Sequence, residues 1–298
     1  MVRQYKIHTN LDGTDDKVWD VTNGKVRFYQ PSNLGLQSTN NIWQSNGIGV
    51  MGTRSITQPQ IEFKLETFGE SLEENYQLMK DFVNDILSKK FVTLEYQTEI
   101  FQVYADLALA DVTKTEGYGK NGTFSEKITF DIITKWYTYE NLTFDMIKNG
   151  KVIAGKSKIY GGTAPGNYKY VKGTSYTYYG ETNIDRLSRW DIKDEIFSFM
   201  GILYPQLPKT PTGVRFLDDN GNEYTAILFK IEQVQNYILI NTDVNDEIYQ
   251  GWNGTTPLNL FPVMDFERYR TRIIEHGQME LINLSKAEFK IKRKADFV

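Results

Sequence analysis

Residues 101–136, FQVYADLALADVTKTEGYGKNGTFSEKITFDIITKW, constrain the fold more than any other stretch. Phe101, Val103, Ala105, Leu107 and Leu109 alternate with Gln102, Tyr104 and Asp106, so an extended chain here has one apolar and one polar side. Ile128, Phe130 and Ile132 repeat the alternation against Thr129, Asp131 and Ile133. Between the two runs, GYGKNG at residues 117–122 has turn chemistry. The pattern predicts one long antiparallel hairpin with a polar tip. Such a hairpin is not stable alone and must pack on further structure. The composition changes after ITKWYTYE, which places the end of a first domain there.

A chain of 298 residues is long for one small domain, so two domains are expected. Aromatic residues make up 14%, which suits strands and contact surfaces. The net charge of −4 argues against a protein that grips nucleic-acid phosphates. With no Cys, disulfides, thiol nucleophiles and Cys-ligated metals are excluded. The first residues, MVRQYKIHTNLDG, carry no apolar core of a signal peptide, and no apolar run is long enough to cross a bilayer.

Asp12, Asp15 and Asp16 lack the alternate-residue spacing of a calcium loop, and an acidic turn is the favoured reading. Residues 33–53 are polar yet carry Ile42, Trp43, Ile48, Val50 and Met51. They are expected to be either a surface loop with one residue tucked into the core or an arm that orders against a neighbour. Residues 60–67 alternate as a strand. Ser71 and Glu74 then form a capping box for a helix whose stripe is Leu72, Tyr76, Met79, Val83 and Ile86, closed by Lys89 and Lys90. Phe91 to Gln97 returns as a strand, giving an α+β first domain.

Residues 150–180 hold seven Gly, five Lys and no Asp or Glu. They also hold six Tyr: Tyr160, Tyr168, Tyr170, Tyr176, Tyr178 and Tyr179. Rigid aromatic anchors on a permissive, basic backbone point to a partner-binding arm rather than a linker, with Lys169 and Lys172 beside the Tyr residues. LYPQLPKTP at residues 203–211 marks the end of that extension. From Thr212 onward, strands at regular spacing predict an antiparallel sandwich. No catalytic residue, cofactor site or metal site is expected: His8 and His276 stand alone, and no nucleophile, phosphate-loop or dinucleotide motif occurs.

The order of parts resembles the distal tail protein (Dit) family of siphophages, in its lactococcal-phage branch. The likeness covers the whole chain. In the first half it rests on GVMGTRSITQPQIEFKLETFG, the capped helix, FVTLEYQTEIFQVYADLALADV and ITFDIITKWYTYE. In the second half it rests on YILINT, YQGWNG and HGQMELINLS. The resemblance implies a mainly β fold. Residues 1–136 plus 285–298 would form a ring domain, with AEFKIKR returning as its last strand. Residues 137–284 would form a galectin-like sandwich with an arm at 150–205. It implies a homo-hexameric hub at the tail tip of the virion, made in the host cytoplasm. The hub would lie between the major tail protein and the tail-tip protein, hold receptor-binding proteins, and let DNA pass through its lumen without touching a membrane. Ile42, Trp43, Tyr118 and Lys120 are the expected ring contacts, and the arm Tyr and Lys residues the expected receptor-binding-protein contacts. His276, Asn283 and Trp252 are scattered and do not match a galectin sugar site. A carbohydrate-binding module is the alternative.

Overall fold

The computed structural model describes residues 3–13, 15–35, 37–57, 60–114, 122–144, 147–148, 151–152 and 189–295. The chain divides into two compact units, Met1–Thr138 with Ala295–Val298, and Tyr139–Lys294.

In the first unit, β1 (Gln4–His8) and β2 (Val18–Asp20) flank the acidic turn. Next come β3 (Val26–Ser32), β4 (Gln37–Ser45), β5 (Ile48–Thr57) and β6 (Gln60–Thr67). After α1 (Leu72–Leu87), β7 (Val92–Gln97), β8 (Gln102–Thr113) and β9 (Ser125–Ile132) complete the unit. The antiparallel order is β2-β1-β7-β8-β9-β6-β3. The amide of Phe28 donates to the Val21 carbonyl at 2.7 Å, drawing the two edge strands together.

The expected long hairpin is β8–β9, with Leu107 opposite Ile132 and Leu109 opposite Phe130. A bulge between Leu109 and Asp111 shifts the parity, so Val112, not Asp111, shares the face of Ile128. The polar face of the hairpin is partly buried as well. Asp106 is enclosed and accepts hydrogen bonds from Thr93 Oγ1 at 2.7 Å and the Tyr137 hydroxyl at 2.8 Å. Burial of a carboxylate is tolerable only with such donors.

The inner faces meet in an aromatic core. Phe28 stacks on Phe63 with ring centres 4.6 Å apart, and Phe82 of α1 meets Phe28 and Trp19 edge-on. The helix starts where expected: Ser71 Oγ accepts from the Glu74 amide. Its seating matches the predicted stripe in part: Ile86 is buried and Met79 and Val83 pack against the core, but the line is rotated. The buried line is Asn75, Phe82 and Ile86, whereas Leu72 and Tyr76 face outward. Asn75 wins the core position because its amide spans Gly69 N and Ser71 O, tying the helix start to the preceding loop. Lys89 and Lys90 lie beyond the helix end, and Lys89 pairs with Asp15 instead of capping.

β10 (Tyr137–Phe144) begins with the last two residues of the first unit's main segment and continues in the second unit, which goes on through β11 (Ile147–Lys148), β12 (Lys151–Val152), β13 (Arg189–Ile192) and β14 (Ile196–Pro205). The second unit is completed by β15 (Pro211–Leu217), β16 (Glu223–Lys230), β17 (Tyr237–Asn241), β18 (Ile248–Trp252), β19 (Pro257–Asn259), β20 (Gly277–Ile282) and β21 (Leu284–Lys294). One sheet runs β19-β18-β17-β14-β21-β10, the other β13-β20-β15-β16. Their inner faces interdigitate, with Phe199 and Phe289 on one side and Phe216 and Met279 on the other.

Two expectations fail here. The last strand, β21, does not return to the first unit. It pairs along its length with β14, from Ile196 opposite Arg293 to Pro205 opposite Leu284, and only the final residues group with the first unit. The arm cannot extend to residue 205, because Ile196, Phe199 and Leu203 of β14 are buried in the sandwich core.

β20 and β21 are separated by Asn283 alone, in the left-handed conformation at φ 54°. At that residue the chain leaves one sheet and enters the other. Asn283 Oδ1 accepts from Leu207 N at 3.0 Å, and its Nδ2 donates to Leu207 O at 2.8 Å and to Thr212 Oγ1.

Candidate assembly surfaces

Among the described residues, the β4–β5 hairpin is exposed from Thr39 to Ser55. Of residues 33–53, Leu34 is tucked into the first-unit core as one of the two expectations has it, but from Gln37 onward the segment is a hairpin and not a loop, with Ile42, Trp43, Ile48, Val50 and Met51 all exposed. Asn46 and Gly47, both at positive φ (50° and 78°), make a two-residue turn whose twist matches the strands. The hairpin is a two-stranded sheet of its own. Ile42 is opposite Met51, Trp43 opposite Val50, and Ser45 opposite Ile48. Trp43, Val50 and Ile48 thus share one face, and Ile42 and Met51 the other. Ile42 is 53% and Trp43 68% exposed. A two-stranded ribbon is marginal in water, and apolar side chains on both faces are the reverse of the one-sided pattern of a ribbon covering its own core.

Of the other predicted contact residues, Tyr118 and Lys120 lie outside the described residues. So do all the arm positions: Tyr160, Tyr168, Lys169, Tyr170, Lys172, Tyr176, Tyr178 and Tyr179.

The acidic turn is structural. Asp16 Oδ1 caps the Asn10 amide at 2.9 Å, while its Oδ2 meets His8 Nδ1 at 2.6 Å. His8 Nε2 lies 2.9 Å from Glu95 Oε2, and Lys6 Nζ donates to the other Glu95 oxygen at 2.8 Å. No group of three or more potential metal ligands occurs among the described residues. Burial alone would push the Glu95 carboxyl up. The hydrogen bonds from Lys6 and His8 outweigh it and hold Glu95 below its ordinary range. A carboxyl depressed in the folded state contributes stability that is complete above the unfolded value of about 4.3 and is lost as pH falls through the folded value. Acid titration of Glu95→Gln is therefore expected to show a shallower loss of first-unit stability below about pH 4 than the parent chain. Equal slopes in the two titrations would refute the linkage.

In the second unit, the residues weighed as a sugar site have separate tasks. Trp252 stacks on Tyr237 across β17 and β18 at 5.9 Å, His276 is exposed beside Asp219, and Asn283 is the sheet-crossing residue. The one deeply buried charge pair among the described residues that joins the sandwich strands to a loop is Lys292 with Asp243, at 2.8 Å. Asp243 Oδ1 also accepts from Asn245 N. Removing one partner strands the other charge without water. Lys292→Ala is expected to cost about 3–5 kcal/mol in denaturant unfolding of the second unit. A loss below about 1 kcal/mol would mean that the pair is solvated.

Comparison with known proteins bears directly on this architecture. The family described as "Distal tail protein, N-terminal domain" matches residues 4–133, and "Dit, C-terminal domain" matches residues 135–298. The chain is 94% identical to the distal tail protein of Lactococcus phage p2 and 93% identical to that of Lactococcus phage SK1, in both cases over the full length of both chains. Among solved structures, it matches a chain of the phage p2 baseplate in its activated conformation with Ca, at 94% identity, full coverage of both chains and a TM-score of 0.79. The corresponding baseplate with Sr matches with a TM-score of 0.80. The SPP1 Dit protein shares the fold at 10% identity, with a TM-score of 0.50 over 98% of this chain and 99% of that one. With both halves matched in order and near-identity over the full length, the chain belongs to the distal tail protein family, structural proteins of the phage tail baseplate.

Proposed function

We propose that the chain assembles as a homo-hexameric ring at the distal end of the tail. There it joins the major tail protein to the tail-tip protein and holds receptor-binding proteins during adsorption, while DNA passes through the lumen. The observation that carries this reading is the β4–β5 hairpin, which displays apolar side chains on both faces and has no partner strand within the described residues. A ring of identical copies needs heterologous contacts that close on themselves, and Ile42 and Trp43 are suited to supply one. The family and the baseplate assemblies in which near-identical chains occur support the hub role. The mild net negative charge suits a lumen that does not retain DNA.

The test is the solution mass by light scattering on a sizing column, with negative-stain images of the same peak. A six-fold ring is expected. The double variant Ile42→Asp/Trp43→Asp, at exposed positions, is expected to run as a folded monomer. A parent chain that stays monomeric in the presence of the tail-tip and major tail proteins would overturn the reading. The receptor-binding-protein role is assigned to residues 153–188 within the arm. Replacing them by a flexible linker is expected to leave the ring and abolish capture of the receptor-binding protein.

A further inference from the structure

Both ring nitrogens of one buried histidine face carboxylates. His8, on β1, has Nδ1 2.6 Å from Asp16 Oδ2 and Nε2 2.9 Å from Glu95 Oε2. A carboxylate accepts and does not donate, and a neutral imidazole carries a single N–H. With one ring proton, one nitrogen would turn its lone pair toward a carboxylate oxygen. The two contacts together therefore call for two ring protons and a cationic His8. The groups around the ring agree with that charge. Lys6, also on β1, is committed to the other Glu95 oxygen at 2.8 Å, so the two carboxylates meet two cations only if His8 is one of them. Tyr104 of β8 stands opposite Glu95. Burial, and then Glu95 and Asp12, push its hydroxyl up, so it is neutral and adds no charge. Beyond this shell, Lys89 pairs with Asp15 and Lys17 with Asp85 of α1, each at a distance that leaves them occupied.

The two carboxylates are not equally held. Glu95 is buried in the sheet, at the register position between Lys6 of β1 and Tyr104 of β8. Asp16 lies on the connection between β1 and β2 and is only half-buried, so it can turn to water. Its other oxygen, Oδ1, accepts the Asn10 amide at 2.9 Å. The carboxylate that meets the ring thus also ties together the two sides of the connection. We propose that His8 is an imidazolium clamp between Asp16 and Glu95, and that loss of its Nδ1 proton frees Asp16 and, with it, the Asn10 amide. A ring held as a cation in the folded state contributes stability that is complete below the unfolded value of about 6.5 and is lost as pH rises through the folded value. The sign is opposite to that of Glu95, whose contribution is lost in acid. The root of the β1–β2 connection is therefore fastened in mild acid and loosened in base, a switch built on histidine chemistry.

The chain has two His, so labelling histidine with nitrogen-15 gives two imidazoles, and His276→Gln, at an exposed position, leaves His8 alone. Magic-angle-spinning spectra of the sedimented full chain are recorded at about pH 6, about pH 7.5 and about pH 9, which span the imidazole range. Both ring nitrogens are expected to carry protons at the two lower values, and Nε2 alone at the highest. In parallel, deuterium exchange at the Asn10 amide, corrected for its chemical rate, is expected to rise about tenfold or more between about pH 7.5 and about pH 9. In Asp16→Asn the new side-chain amide can donate to Nδ1. That ring is expected to be neutral at about pH 7.5, with Asn10 exchange varying less than about twofold over the same range. A neutral His8 in the parent chain at about pH 6 overturns the clamp. A ring that keeps both protons at about pH 9, or an Asp16→Asn chain with the pH dependence of the parent, overturns the release through Asp16.

Discussion

Leu107→Asp is expected to unfold the first unit. Leu107 is fully buried between Val92 of β7 and Ile132 of β9, at the centre of the sheet that carries the whole unit. A carboxylate there has no donor of the kind that satisfies its neighbour Asp106. An unpaired buried charge and a lost core side chain together exceed about 4 kcal/mol. A domain of this size has about 5–15 kcal/mol of stability to lose. Trp19 and Trp136, both in the first unit, provide the signal: their emission is expected to shift to that of water-exposed indole. Leu107→Met, which conserves volume, is expected to cost less than about 1.5 kcal/mol. A soluble, ring-forming Leu107→Asp chain would contradict the burial of the β8–β9 hairpin.

The second large effect concerns the arm. Deleting residues 150–205 is expected to destroy the second unit, whereas deleting only residues 153–188 preserves it. The difference is β13 and β14. β14 lies between β17 and β21 and supplies Ile196, Phe199 and Leu203 to the core. Its removal opens the central pairing of one sheet and leaves Phe216 and Phe289 without their aromatic contact to Phe199. Loss of one buried Phe alone costs about 3–5 kcal/mol. Circular dichroism and proteolysis of the two deletions decide the matter. A folded second unit after the longer deletion would show that β14 is dispensable, against its place in the core.

Sequence alone showed a good part of this, and the reasons for the rest are physical. The β8–β9 hairpin was legible because one of its faces is buried, which leaves a period of two in the sequence. The start of α1 was legible because Ser71 and Glu74 satisfy a local hydrogen-bonding need, independent of what the helix packs on. Its seat was legible only in part, because a buried Asn75 that bonds to its own loop looks polar in any pattern. The β4–β5 hairpin escaped because strands exposed on both faces have no alternation. The surviving signal was Asn46-Gly47 between Ile42-Trp43 and Ile48 to Met51. β14 falls within the arm in the sequence reading because the Pro-rich punctuation that marks the arm's end follows it; in the structure a bulge near Ile196 interrupts its register. Of the contact residues, Ile42 and Trp43 fall on an exposed ribbon, and Tyr118, Lys120 and the arm Tyr and Lys positions lie outside the described residues.

The crossing at Asn283 bears on how the sandwich comes apart. β20 and β21 are neighbours in sequence but are laddered to different sheets, with one residue between them and no slack. Neither sheet can peel away without drawing the end of the other after it, since Asn283 also clasps Leu207 and Thr212. Partial opening therefore exposes both inner faces together, and a half-melted sandwich has no favourable form. The second unit should give a single sharp heat-absorption peak whose calorimetric and van't Hoff enthalpies agree. In Asn283→Gly, which keeps the left-handed backbone but removes the clasp, that peak should broaden as the two sheets begin to melt on separate schedules.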